Sequence, residues 1–208
     1  MLSCPERESI RRETLACLSS TDWNGATYVE IDQHTCERKQ TRQEQTALRL
    51  LQKALGSGAD LILFLEDDII FNQHVRHNLE HWAPLWRMPE TRHFFASLYN
   101  PNVRPLAIHR DDAFFIADPN AVYGSQAFLL SIETARHIVA HWTEVSGMQD
   151  IKMSRLAARV SPIYYHQPSL VQHVGKTSVW GGHYHHAMDF DVQWKAPVTK
   201  RMMSYAVQ

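Results

Sequence analysis

The sequence predicts an α/β fold with a mostly parallel central sheet, and three observations carry that expectation. Short apolar runs alternate along the chain with segments of helical periodicity, the pattern of strands joined by crossover helices. One run, Leu61-Ile-Leu-Phe-Leu65, passes straight into three consecutive carboxylates, Glu66-Asp67-Asp68, and the chain turns apolar again at Ile69. The 208 residues are 44% hydrophobic and 21% charged, a balance that suits one globular domain with a substantial core.

The elements follow in order. Residues 1–8 read as the end of a first strand and a loop. Glu8 to Ser20 has helical spacing, with Ile10, Leu15, Ala16 and Leu18 on one face. After a turn at Trp23-Asn24-Gly25, Thr27 to Ile31 reads as a second strand ending at Asp32. Thr41 to Leu55 is an amphipathic helix carrying Ala47, Leu48, Leu51 and Leu55, stopped by Gly56-Ser57-Gly58. Leu61 to Leu65 is the third strand. Asn72 to Trp86 has helical spacing, and His93 to Leu98 reads as a strand. Residues 100–120, with Pro101, Pro105 and Pro119, read as a long irregular loop of the kind often used for function. Ala121 to Leu130 is a strand entered through Tyr123-Gly124-Ser125. Ile132 to Trp142 and Gln149 to Val160 are helices, and Ser161 to Tyr165 is a short strand. Val179 to Gln208 has no clean period. The expected organisation is a single domain, with residues 1–100 as a nucleotide-binding half, 101–180 as an acceptor and catalytic half, and 181–208 as an extension.

Composition narrows the function classes. A formal net charge of −1 gives no basic field for nucleic acid. No stretch approaches the roughly 20 apolar residues of a membrane span, and the first residues lack the apolar core of a signal peptide. Three cysteines, Cys4, Cys17 and Cys36, show no CxxC spacing, against a disulfide framework or structural zinc. A cytoplasmic location without a transmembrane segment is the expectation.

The acids at the strand end are the first candidate site. Alternation along a strand sends Glu66 and Asp68 to one side and Asp67 to the other. Such oxygens suit Mg²⁺ or Mn²⁺, which could hold the phosphates of a substrate. The competing reading is an acidic strand end in water, or one that caps the next helix. A second constellation is Gln167-Pro-Ser-Leu-Val-Gln-His173-Val-Gly175-Lys176-Thr-Ser178, with a metal-ligating type, a cation and hydroxyls around a glycine. A lone histidine such as His173 is more often a satisfied polar residue than a ligand. Asp150, after Gly147-Met-Gln149, reads either as a helix cap or as a general base. Gln126, after Gly124, offers a donor and an acceptor to a ligand or marks an ordinary strand entry. His183, His185 and His186 have metal-binding chemistry, but a solvated tail or acceptor-side contacts suit them better.

These pieces, in this order, resemble a GT-A type nucleotide-sugar glycosyltransferase. Leu65-Glu-Asp-Asp-Ile69 looks like the DxD-type motif of that superfamily. Together with Pro168-Ser-Leu-Val-Gln-His-Val-Gly-Lys-Thr-Ser178 it resembles the branching N-acetylglucosaminyltransferase IV group. Ser3-Cys-Pro-Glu-Arg7 through Asp32 is similar to the first strand, helix and second strand of the GT-A nucleotide-binding half. The likeness covers roughly residues 1–180. It implies an α/β/α sandwich, with Mn²⁺ or Mg²⁺ held by Asp68, His173 and the donor diphosphate. It implies that Asp150 deprotonates the acceptor hydroxyl in an inverting transfer. It implies cofactor-binding roles for Arg7, Asp32, Glu66, Asp67, Gln126, Lys176 and Ser178. The partners expected are a UDP-sugar donor, UDP-GlcNAc favoured, and a carbohydrate or other hydroxyl acceptor. The chain is much shorter than the eukaryotic transferases and carries no counterpart of their anchor and stem, so a compact relative is expected. A nucleotidyltransferase on a related fold and a non-catalytic carbohydrate-binding protein are the alternative classes.

Overall fold

The computed structural model describes residues 1–33, 38–86, 88, 92–101, 107–122, 124–175 and 185–198. Two short strands, β1 (Leu2–Ser3) and β2 (Glu30–Ile31), pair in parallel around α1 (Glu8–Ser19). Next come α2 (Lys39–Leu55) and β3 (Leu61–Leu65), the apolar run that ends at the acids. Beyond the acids lie β4 (Ile69–Phe71), α3 (Val75–Glu80) and α4 (Ala83–Trp86). The second half supplies β5 (Phe95–Ser97), β6 (Ala107–Arg110), β7 (Phe114–Ala117), β8 (Ala127–Ser131), α5 (Ile132–Ala140) and α6 (Gln149–Ala157). Finally come β9 (Ile163–His166) and β10 (Val171–His173).

The fold is α/β, and the expectation of a mostly parallel sheet needs correction. The main sheet runs β3-β8-β5-β9-β7-β6, and only β5–β9 is parallel among its neighbours. The reason is β8. It enters beside β3 in the opposite direction, with Leu65 facing Ala127 and Leu61 facing Ser131, and so separates β3 from β5. The residues read as a loop between 100 and 120 contain the antiparallel β6–β7 hairpin. The helix expected over 72–86 divides at His81-Trp82 into α3 and α4, where Pro84 cannot donate to a continuing helix.

Period-2 alternation splits the core between the two faces of the sheet. Phe64, Phe95, Phe128 and Leu130 pack with Leu50 and Leu51 of α2, Ile138 of α5 and Met153 of α6. Leu65, Ala96, Ala127 and Leu129 pack with Leu18 of α1 and Val75 and Leu79 of α3. Helices therefore cover both faces. Among the described residues, no helix is long and apolar enough to cross a membrane.

β4 and β10 form a separate antiparallel pair that no periodicity announced, three residues each, with Ile69 opposite His173. That register matters for the site, because it sets His173 beside the last acid of the strand end.

Candidate functional site

The site forms where β3, β4 and β10 meet, and its first layer is backbone. Val174 N donates to Asp68 O at 2.9 Å, extending the β4–β10 pairing to the acids. Thr14 of α1 donates to Asp67 O at 2.8 Å and Ile69 O at 3.0 Å, so α1 holds the turn from behind. The three carboxylates then diverge.

Asp67 points into the structure. Ser3 Oγ donates to its Oδ2 at 2.5 Å and Arg7 Nη1 to its Oδ1 at 2.8 Å. Burial raises its pKa, with Ser3 and the Arg7 charge opposing. With both oxygens engaged, Asp67 anchors β1 and the turn Pro5–Arg7 to the strand end.

Asp68 shares Arg7 with Asp67 and also meets His173. Its Oδ2 lies 2.8 Å from Arg7 Nη1 and 3.1 Å from His173 Nε2. Its buried Oδ1 has no hydrogen-bond partner among the described residues. Burial raises the pKa of Asp68, but the bond from His173 and the charge of Arg7 outweigh it and hold the carboxyl below its ordinary value. His173 shifts the opposite way. Burial lowers its pKa, yet the Asp68 carboxylate more than offsets this.

Glu66 is enclosed by the polar ends of β8 and α6. Ser125 Oγ and Gln149 Nε2 both donate to Oε1, the latter at 3.1 Å, and Gln126 Nε2 stands 3.5 Å from Oε2. Gln149 also donates to Ser125 Oγ at 2.8 Å. Burial, then the charge of Asp68, pushes the Glu66 carboxyl up to about 7. Asp150 also raises it, which puts Asp150 within electrostatic range of the acids. Asp150 itself accepts from Gly124 N at 2.9 Å through Oδ2 and from Ile151 N at 2.9 Å through Oδ1. Gly124 has φ +78°, and a side chain there would strike Gln126 Oε1, a buried acceptor with no partner among the described residues.

The fold thus gathers Arg7, Glu66, Asp67, Asp68, Gln126, Asp150 and His173 from five separate stretches. Asp32 stands apart. It ends β2, and its carboxylate receives Arg42 of α2 at 2.6 Å. Lys176 and Ser178 lie outside the described residues. Ser3, Ser125 and Gln149 belong to the cluster although sequence reasoning gave them no role. Their signal was weak: single polar residues at the ends of apolar runs, which ordinarily just face water.

The donor set fits a hard divalent cation of the Mg²⁺ or Mn²⁺ class. A carboxylate oxygen and an imidazole nitrogen 3.1 Å apart match neighbouring ligands on an octahedral ion at about 2.1 Å, which lie about 3 Å from each other. Gly175 keeps the approach open. A Cβ there would collide with Asp68 Oδ2 and come within 2.9 Å of His173 Nε2. Among the described residues no third His, Cys, Asp or Glu joins them as a ready-made metal cage. Ions that bind through one or two carboxylates plus substrate phosphates need no such cage.

A larger cleft of about 820 Å³ runs along the outer edge of β3, lined by Leu18, Trp23, Leu50, Leu51 and Leu61–Leu65. It is apolar and does not include the acids. Compared with protein-family models and with curated proteins, the chain matches none.

Proposed function

We propose that the protein is a metal-dependent, inverting glycosyltransferase of GT-A type that moves a sugar from a UDP-sugar to a hydroxyl acceptor. The single observation that supports it most is the convergence of Asp68 and His173. They lie 105 positions apart in the two motifs that carry the family resemblance, and they meet at 3.1 Å over a glycine that leaves room between them. A scaffold protein has no need to hold against an imidazole an acid whose buried Oδ1 has no partner among the described residues.

Each residue has a task that its environment permits. Asp68 Oδ1, Asp68 Oδ2 and His173 Nε2 would hold Mn²⁺ or Mg²⁺. That ion, when bound, offsets charge developing on the leaving nucleoside diphosphate. Arg7 neutralises Asp67 and Asp68 and keeps the acids packed at the strand end. Asp150, whose carboxylate accepts from the backbone of Gly124 and Ile151, would take the proton of an acceptor hydroxyl. The resemblance favours UDP-GlcNAc as donor.

The reading is tested by calorimetric titration of UDP with and without Mn²⁺. Binding of UDP that requires Mn²⁺, and that is lost in Asp68→Ala and His173→Ala, is the expected result. UDP affinity indifferent to Mn²⁺ and to both substitutions removes the reading.

A further inference from the structure

In sequence, residues 181–208 have no clean period, and His185 and His186 suit a solvated tail or acceptor-side contacts, yet the described part, 185–198, folds back against the candidate ion site. Gln172 of β10 holds it by both ends of its amide, donating Nε2–H to Ala187 O at 2.9 Å and accepting from Ala187 N at 3.0 Å. Asn72 donates to Asp191 O and Trp194 O at 2.7 and 2.8 Å, and Ser169 donates to Asp189 at 2.6 Å. Ala187 is consequently buried.

This pinning delivers His185 to His173. The two rings stack with centroids 5.0 Å apart and an interplanar angle of 26°. The backbone carbonyl of His185 lies 3.4 Å from His173 Nδ1, on the side of the ring away from Asp68. The Tyr99 hydroxyl, at the end of the segment after β5, meets His185 Nδ1 at 2.7 Å. Tyr99 is fully buried, so its hydroxyl fixes His185 from the core side.

We infer that Tyr99 and His185 are positioning residues for the ion site. They clamp the His173 ring so that Nδ1 faces the His185 carbonyl and Nε2 faces Asp68, an orientation that in the ion-bound protein would keep Nδ1–H as the donor and leave the Nε2 lone pair for the ion. The inference rests on the proposed divalent ion at Asp68 and His173. The chemistry is general: a metal-binding imidazole donates its other N–H to an outer partner, which sets tautomer and ring orientation, and losing that partner costs about 10–100-fold in affinity. Stacking on His185 adds a second restraint, on ring rotation.

The test is Mn²⁺ affinity in the presence of UDP, measured by calorimetry on wild type, Tyr99→Phe, His185→Phe and His173→Ala. Tyr99→Phe keeps the ring, and His185→Phe keeps an aromatic ring and the backbone carbonyl, so folding is checked by an unchanged thermal midpoint. Both are expected to weaken Mn²⁺ binding at least fivefold. In Mg²⁺-loaded protein, the imidazole ¹⁵N shifts of His173 are expected to report an Nδ1-protonated ring in wild type and a mixture of tautomers in the variants. Loss of Mn²⁺ binding in His173→Ala, with both Phe variants within twofold of wild type, overturns the positioning role and leaves the ion site standing. Absence of Mn²⁺ binding in wild type overturns both.

Discussion

His166 shows how burial sets a charge state at the scale of one residue. It is 1% exposed, packed between Trp82 at 4.9 Å and Trp194 at 5.7 Å, and its Nδ1 lies 2.6 Å from Pro168 O. With that carbonyl as partner, Nδ1 carries the proton. Burial drives its pKa down from 6.5 to about 4, the carbonyl opposing. The folded state therefore excludes a second proton that the unfolded chain accepts. Its contribution to stability is complete above about pH 6.5 and is lost progressively as pH falls toward 4, to a total of roughly 3 kcal/mol. Glu66, whose pKa is raised, acts with the opposite sign as pH falls below about 7. Chemical denaturation of wild type and His166→Asn separates the two, because the Asn amide keeps a donor for Pro168 O and does not titrate. The stability difference is expected to shift in favour of the variant between pH 7 and pH 4. A difference independent of pH removes the buried neutral imidazole from the account.

At the scale of elements, the strand end depends on α1. Thr14 is 2% exposed and donates to two carbonyls, Asp67 O and Ile69 O, while its oxygen stands 3.3 Å from Ile69 N. Thr14→Val keeps the shape and strands those backbone groups in a dry setting. A loss of about 1–3 kcal/mol is expected in denaturant unfolding, together with weaker Mn²⁺-dependent UDP binding, since Asp68 follows directly. A neutral substitution means the turn holds itself without the helix. The same element scale shows what sequence can and cannot carry. The unbroken apolar run Leu61–Leu65 made β3 and its acids legible, because both faces of that strand are covered. The β4–β10 pair was not legible. Three residues give no period, and their partner lies about a hundred positions away, so only tertiary pairing defines them. The β6–β7 hairpin was hidden similarly: Ala107–Arg110 is largely exposed on a sheet edge and carries little apolar pattern.

At the scale of the molecule, the helices on both faces were legible and the strand directions were not. Alternating strands and helices suggest parallel crossovers, but β8 has an N-terminal end that must reach Glu66 from the opposite direction. That reversal places Ser125, Gln126 and the start of α6 next to the acids, and so brings Asp150 into their electrostatic range. The candidate site was therefore readable as a set of residue types, with Asp68, His173 and Asp150 all named from the chain. Its supporting layer of Ser3, Ser125, Gln149, Tyr99 and His185 became visible only through contacts between elements. The central claim is that one divalent ion sits between Asp68 and His173. The most direct measurement is anomalous diffraction from crystals grown with Mn²⁺ and UDP. A manganese peak bonded to Asp68 and His173 Nε2, with UDP phosphate oxygens completing its shell, is the predicted result. Asp68 still closed on Arg7 and His173, with no peak between them, would contradict the account.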